Sequence, residues 1–415
     1  MNVFNKLFKG DRTIWIIFML LCFVSLVEVY SATSTLAYKQ ANFWQPILRH
    51  GFFLLMGFAS VLGLHNIPSK YFGIAIILLP IAIILLALTP IFGLKINEAY
   101  RWWSIFGIQF QPSEIGKMAC IIFVAFFLSK QERVSPHIIF WINLTGVSLT
   151  CALILPENFS TAFLLFTVCF LMMFIGQAPL KKMIFLLVFL ILLGGLTFAV
   201  FRYTPDDMAK QYFPNRMLTM KARFDDYGND KAKTTKFVIN DDNFQVNHAK
   251  IAIARGGIVG ELPGRSVQRD YLPQAYSDFI YAIIIEELGL IFGGIGVLML
   301  YVILMFRVAI IARRCEKLFP KYLALGCGLL IVIQAFINMA VAVNLIPVTG
   351  QPLPLISRGG TSTMLTCFYF GMILSVSHFG AGMGADEEGE EAGEIEEIRE
   401  DGEIEEFAEV EQSED

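Results

Sequence analysis

The chain is 415 residues long, 56% hydrophobic and 16% charged, with a mean hydropathy of +0.61. A soluble domain carries nearer a quarter of its residues charged, so this composition excludes an ordinary soluble protein and predicts an all-α polytopic membrane protein. The net charge of −4 hides an asymmetry: 17 of the 36 acidic residues lie between Asp386 and Asp415 beside one basic residue, Arg399, and the remainder is basic.

A bilayer core is crossed by roughly 20 apolar helical residues. Ten stretches approach that length: 14–30, 47–64, 71–90, 113–129, 137–155, 159–176, 183–201, 279–306, 323–345 and 360–379. The first is long for the apolar segment of a signal peptide and lacks a small-residue cleavage site, so it reads as a retained span behind a cytoplasmic N-terminus, residues 1–13. Lys and Arg in short loops set the orientation. With the N-terminus inside, the cytoplasmic segments hold Lys6, Lys9, Arg12, Lys70, Lys130, Arg133, Lys181, Lys182, Arg307, Arg313, Arg314, Lys317 and Lys321. The short outside loops hold only Lys39, Lys95, Arg101 and Arg358.

This pattern predicts a membrane domain of ten transmembrane helices over residues 14–380, with both termini cytoplasmic and one large extracytoplasmic loop, 202–277, between helices 7 and 8. The first half of that loop is polar and poorly periodic. Its second half (FQVNHAKIAIARGGIVGELPGRSVQRDYLPQAYSDF) has apolar patches punctuated by Gly and Pro, which predicts structure packed against the membrane. Residues 381–415 form an acidic cytoplasmic tail that self-repels and has too little apolar content to fold. It reads as a solubilising appendage or as a dock for a basic partner.

Charged residues at the edge of a span are costly and are candidate functional groups. Arg101, Trp102 and Trp103 precede the fourth span; the two Trp suit an interfacial belt, and Arg101 is placed to meet a lipid headgroup. In QPSEIGK, Pro112-Ser113 reads as a helix start, with Ser113 or nearby backbone able to cap it. Glu114 and Lys117 follow at i, i+3 and can pair on one face. Two roles stand for Lys117: an internal ion pair that locks packing, or a cation that holds phosphate at the membrane surface.

Asp278 lies where the long loop meets the eighth span, either as a helix cap or as a catalytic carboxylate. Glu286 and Glu287, deeper in that span, point to different faces, and at least one is expected to meet a basic group in the bundle. The last loop, IPVTGQPLPLISRGGTST, packs Pro and Gly around Ser357 and Arg358, as suits a rigid or re-entrant turn lining a cavity. Gly359 and Gly360 let the backbone approach a ligand closely.

The seven Cys and five His are scattered, with no redox or metal-ligand spacing, so no disulfide or metal site is indicated. No nucleic-acid partner is expected. No P-loop, GxGxxG, GxSxG or HExxH occurs, leaving nucleotide, dinucleotide, serine-hydrolase and zincin chemistry without a signal.

At these residues the sequence resembles the SEDS family (FtsW, RodA and SpoVE) from Gly10 to about Ser377. The blocks GDRTIW, VYSATS, RWWSIFGIQFQPSEIGK, LPENFSTA, GGIVGELPGRSVQRDYLPQAYSDFIYAIIIEELG and PVTGQPLPLISRGGTS follow in order. Carried over, the family's essential loop acid falls on Asp278. The QPSE-x-x-K block falls on Gln111, Pro112, Ser113, Glu114 and Lys117, and the RRW block on Tyr100, Arg101 and Trp102, with Tyr in place of one Arg. Where the family has an acid in P-D-L-G-T, this chain has Glu157 and Asn158.

The resemblance implies a peptidoglycan glycosyltransferase that polymerises lipid II at the outer face of the cytoplasmic membrane. It would work beside a class B penicillin-binding protein transpeptidase and other division or elongation proteins. Sugar transfer from a lipid diphosphate needs a base for the acceptor hydroxyl and positive charge at the departing diphosphate. Asp278 suits the first role, and Arg101, Lys117 and Arg358 suit the second. With them, Trp102, Gln111, Ser113, Glu114, Ser357 and Gly359 complete the implied substrate-binding set. No cofactor is required, and a divalent cation (Mg or Mn) with Asp278 as its acid is compatible. A lipid II flippase, an elongation-branch polymerase and a non-catalytic scaffold are the alternatives. The VYSATS opening and the long tail lean towards the division branch, and the clustering of polar groups outside favours an enzyme over a transporter.

Overall fold

Helix starts and breaks in this chain follow from a few residues whose local chemistry is plain. In the computed structural model, residues 8–32, 45–96, 99–105, 108–204, 244–272 and 277–380 are described. The acidic tail and most of the first half of the long loop lie outside the described residues.

Asp11 accepts from Thr13 N at 2.9 Å and Ile14 N at 3.1 Å, capping α1 (Arg12–Ala32). α2 (Gln45–Leu64) follows, and a 3₁₀ turn over Ser69–Ile77 runs into α3 (Leu78–Phe92). Next comes a small antiparallel sheet, β1 (Leu94–Ile96), β2 (Ala99–Ile105) and β3 (Ile108–Phe110), in that spatial order. The sheet corrects the all-α expectation. AYRWWSI is dense in aromatic residues that fit a pleated surface, and Leu94 pairs with Trp102 while Trp103 pairs with Phe110. Trp103 Nε1 donates to Thr89 Oγ1 at 3.1 Å and anchors the sheet on the end of α3.

Pro112 opens α4 (Pro112–Leu128) and Pro136 opens α5 (Pro136–Ile154), where a missing N–H is no loss. The Asn158 side chain accepts from Thr161 N at 3.2 Å and caps α6 (Phe159–Ile175). α7 (Leu180–Tyr203) leads into the long loop, which contributes α8 (Phe244–Gly256) and the short α9 (Gln268–Tyr271). α10 (Ile280–Leu288) and α11 (Val297–Arg314) are two parts of one broken helix, joined by wide π-type turns over Gly289–Gly296. α12 (Leu318–Ala342) and α13 (Thr361–Gly380) complete the bundle. Eight helices among the described residues are long and apolar enough to cross a membrane, and α4 and α6, at 17 residues each, are shorter. α12 lies at the centre, with 72% of its apolar window buried, whereas α7 faces outward with 6%.

The break after α10 is filled by the loop. Gly289 adopts φ +76°, and a Cβ there would come 2.4 Å from Ile258 O, so only glycine fits. Loop N–H groups of Glu261 and Leu262 donate to Glu286 O and Glu287 O, each at 2.9 Å, and Leu290 N donates to Gly257 O at 2.9 Å. Main-chain groups that an unbroken helix would satisfy internally are thus satisfied by another segment.

The same segment meets the acid pair. Glu286 Oε1 accepts from Val267 N at 3.1 Å and lies 3.7 Å from Arg255 Nε, and its Oε2 accepts from Ser266 Oγ. Glu287 accepts from Gly264 N at 3.0 Å and from Ser31 Oγ, with Arg269 Nη1 4.0 Å away. The expected basic partner within the bundle is instead supplied by the loop, because α8 and α9 fold back over α10.

Candidate active site at the head of α10

Asp278 sits in the turn 277–279, half-buried, immediately before the first residues of α10. The N-cap position is Phe279, one residue after Asp278, and its own side chain makes no cap. Asp278 Oδ1 accepts from Ser277 Oγ at 2.9 Å. Gly350, in the left-handed region at φ +69°, lies against the carboxylate: a Cβ there would stand 3.8 Å from Asp278 Oδ2.

The last loop forms the wall beside this acid. Ser357 is 2% exposed; its hydroxyl donates to Ser277 O at 2.7 Å and accepts from Leu353 N at 2.8 Å. Ser357 therefore braces the turn that carries Asp278, and its hydroxyl is already engaged on both sides. Gln351 Nε2 donates to Thr161 Oγ1 at 2.9 Å, joining the loop to the start of α6. Arg358 is half-buried, and Gly359 O accepts from Ser362 N at 3.0 Å as α13 begins.

Lys117 is enclosed. Its Nζ lies 2.8 Å from Glu114 Oε1 and donates to Gln334 Oε1 at 3.2 Å, while Gln334 Nε2 donates to Pro352 O at 3.0 Å. The i, i+3 pair is therefore formed, and it is linked through α12 to the same loop that walls Asp278. Gln111 is the N-cap residue of α4 but makes no side-chain cap, and Ser113 is buried with its hydroxyl unpartnered among the described residues rather than capping the helix.

Arg101, Gln111 and Ser113 line an open cleft together with Tyr100, Glu157 and Asn158. Glu157 Oε2 accepts from Tyr100 N at 3.0 Å, so this acid supports the sheet, and Asn158 is spent as the α6 cap. Trp102 is half-buried on β2. Sequence reasoning missed Gln334, Asn338, Gln351 and Gly350. Gln334 and Asn338 carried a signal, since two amides four residues apart on an apolar helix share one face. Among the described residues, no three His, Cys, Asp or Glu side chains come together as a metal-ligand cluster.

These features define a polytopic membrane protein with an acid held at the mouth of a helical bundle. The family model described as "Cell cycle protein", that of FtsW, RodA and SpoVE, matches residues 11–381, and the chain belongs to this family. A protein of Nitrosococcus halophilus named "Probable peptidoglycan glycosyltransferase FtsW" is 31% identical over 361 residues, covering 84% of this chain and 87% of its own. A Bacillus subtilis protein of the same name is 32% identical over 394 residues, covering 90% and 92%. The fold is similar to a chain in a structure described as a peptidoglycan synthase complex that coordinates polymerization and crosslinking (TM-score 0.69, 22% identity, 89% and 97% covered). It is also similar to the rod shape determining protein RodA of Thermus thermophilus (TM-score 0.62, 22% identity, 89% and 97% covered). The chain is accordingly a multi-pass protein of the bacterial cytoplasmic membrane.

Proposed function

We propose that this chain is a peptidoglycan glycosyltransferase that joins lipid II units into glycan strands at the outer face of the membrane, with Asp278 as the general base. The carboxylate of Asp278, half-buried at the loop–helix junction and walled by the 350–357 loop, is the observation that carries this reading. An Asp278 Oδ oxygen takes the proton of the acceptor 4-hydroxyl as the hydroxyl's own oxygen bonds to the donor's anomeric carbon. The bond from that carbon to the diphosphate breaks, and the diphosphate leaves with the electron pair. A single base acting on an axial donor inverts the centre and leaves a β-1,4 link. Arg101 and Arg358, both half-buried, are the cations assigned to the departing charge, with Lys117 joining them if its pair with Glu114 opens.

The topology proposed with this role is ten spans, counting α4 and α6, with both termini cytoplasmic and the loop 202–277 outside. The pairing of Asp11 with Arg307 Nε at 3.1 Å joins the start of α1 to α11 and supports placing both on one side. The partners proposed are lipid II, a class B penicillin-binding protein and other division proteins. Purified wild-type and Asp278→Asn protein, each given lipid II, test the reading. Glycan strands from wild type and none from the folded variant are expected, and strands of normal length from D278N would remove the base from this position.

A further inference from the structure

Four groups of the site meet one face of α12. Gln334 and Asn338 are one turn apart, so their side chains project to the same side. Asn338 Nδ2 donates to Asp278 O at 3.0 Å and to Gln351 O at 2.8 Å. The amide orientation is fixed, because only the NH₂ group can meet two carbonyl oxygens. Gln334 repeats the device a turn away: its Nε2 holds Pro352 O and its Oε1 accepts from Lys117. Gln351 and Pro352 are adjacent, so two neighbouring loop carbonyls are held by two neighbouring amides. One amide also grips the backbone of Asp278, and the other grips the Lys117 ammonium.

We infer that Asn338, with Gln334, is a positioning residue of the polymerisation site, setting Asp278 and the wall at Gly350–Pro352 in fixed register with Lys117. The inference rests on Asp278 being the base. Neither amide needs to touch substrate. Asn338 is 1% exposed, and its Oδ1 is buried without a partner among the described residues. That orphaned oxygen is a cost a leucine does not carry, but a leucine also leaves the carbonyls of Asp278 and Gln351 without this donor, so the register loosens at a modest cost in stability. A carboxylate that wanders by about 1 Å from its acceptor hydroxyl loses on the order of 100-fold in turnover.

The test is Asn338→Leu in the full-length protein, with kcat and KM for lipid II, thermal stability and amide exchange over residues 350–353 all measured. The expected result is a modestly lowered Tm with the protein still folded and inserted, KM nearly unchanged, faster exchange in the loop, and kcat lower by roughly 100-fold. Because both amides act on one loop, Q334L with N338L is expected to be little worse than the poorer single variant. Wild-type kcat in N338L, or a loss confined to KM, overturns the inference. If N338L does not insert, Asn338→Ser, which cannot span both carbonyls, gives the same two readings. D278N run in parallel separates the cases: strands from D278N mean that the base is misassigned, whereas inactive D278N beside fully active N338L refutes only the positioning role.

Discussion

Lys117 Nζ lies 2.8 Å from Glu114 Oε1 with its side chain 1% exposed, so the ammonium is held inside the bundle and not at its surface. Removing it alone strands a largely buried carboxylate. Lys117→Met is expected to lower stability by about 3–5 kcal/mol. Glu114→Gln combined with Lys117→Met is expected to restore the thermal midpoint while turnover and lipid II binding stay poor. Full activity in the double variant would confine Lys117 to holding the bundle together.

Glu28 poses the opposite problem. It is fully buried on α1, one turn before Ser31, and neither carboxylate oxygen has a hydrogen-bond partner among the described residues. Replacing an unsatisfied polar group by an apolar one of similar size removes a penalty of about 1–3 kcal/mol. Glu28→Leu is therefore expected to unfold at higher temperature than wild type in detergent. A lower midpoint would show that the acid finds a partner in the membrane.

Gly289→Ala attacks the splice between loop and helix. The left-handed backbone alone costs an alanine about 1–2 kcal/mol, and the added Cβ meets Ile258 O at 2.4 Å. The variant is expected to lose protection from hydrogen exchange over residues 256–262 before the rest of the bundle melts. Unchanged exchange there would mean that the backbone relaxes around the methyl group.

The tail beyond Asp386 carries 16 acidic residues and lies outside the described residues. A chain truncated there is expected to insert and to polymerise lipid II at the wild-type rate. Lost catalysis with intact insertion would give the tail a part in the reaction.

The sequence made the local facts readable and left the long-range ones hidden. The Glu114–Lys117 pair follows from helical spacing, and Asp278 stood out because a lone acid marks the boundary between a polar loop and an apolar run. The partners of Glu286 and Glu287 could not be read, because Arg255 and Arg269 reach them only once the loop folds back. Ser113 has the residue type of a cap, yet packing buries it and leaves its hydroxyl unpartnered among the described residues. Asn338 and Gln334 are neutral amides, and their worth depends on which carbonyls the fold brings near, which no local pattern of the sequence encodes.

The interleaving of residues 257–262 with the broken helix also bears on how the chain is made. The segment Ile280–Arg314 is 35 residues long, or roughly 50 Å if fully helical, against a hydrocarbon thickness of about 30 Å. It leaves the ribosome after the loop that completes it, so in the proposed topology, with that loop outside, the translocon receives a span whose native break depends on a polypeptide already exported. If it enters lipid as an unbroken helix, Gly289 and the turns after it must open again before Glu261 and Leu262 can dock, giving biogenesis a late rearrangement at the membrane surface.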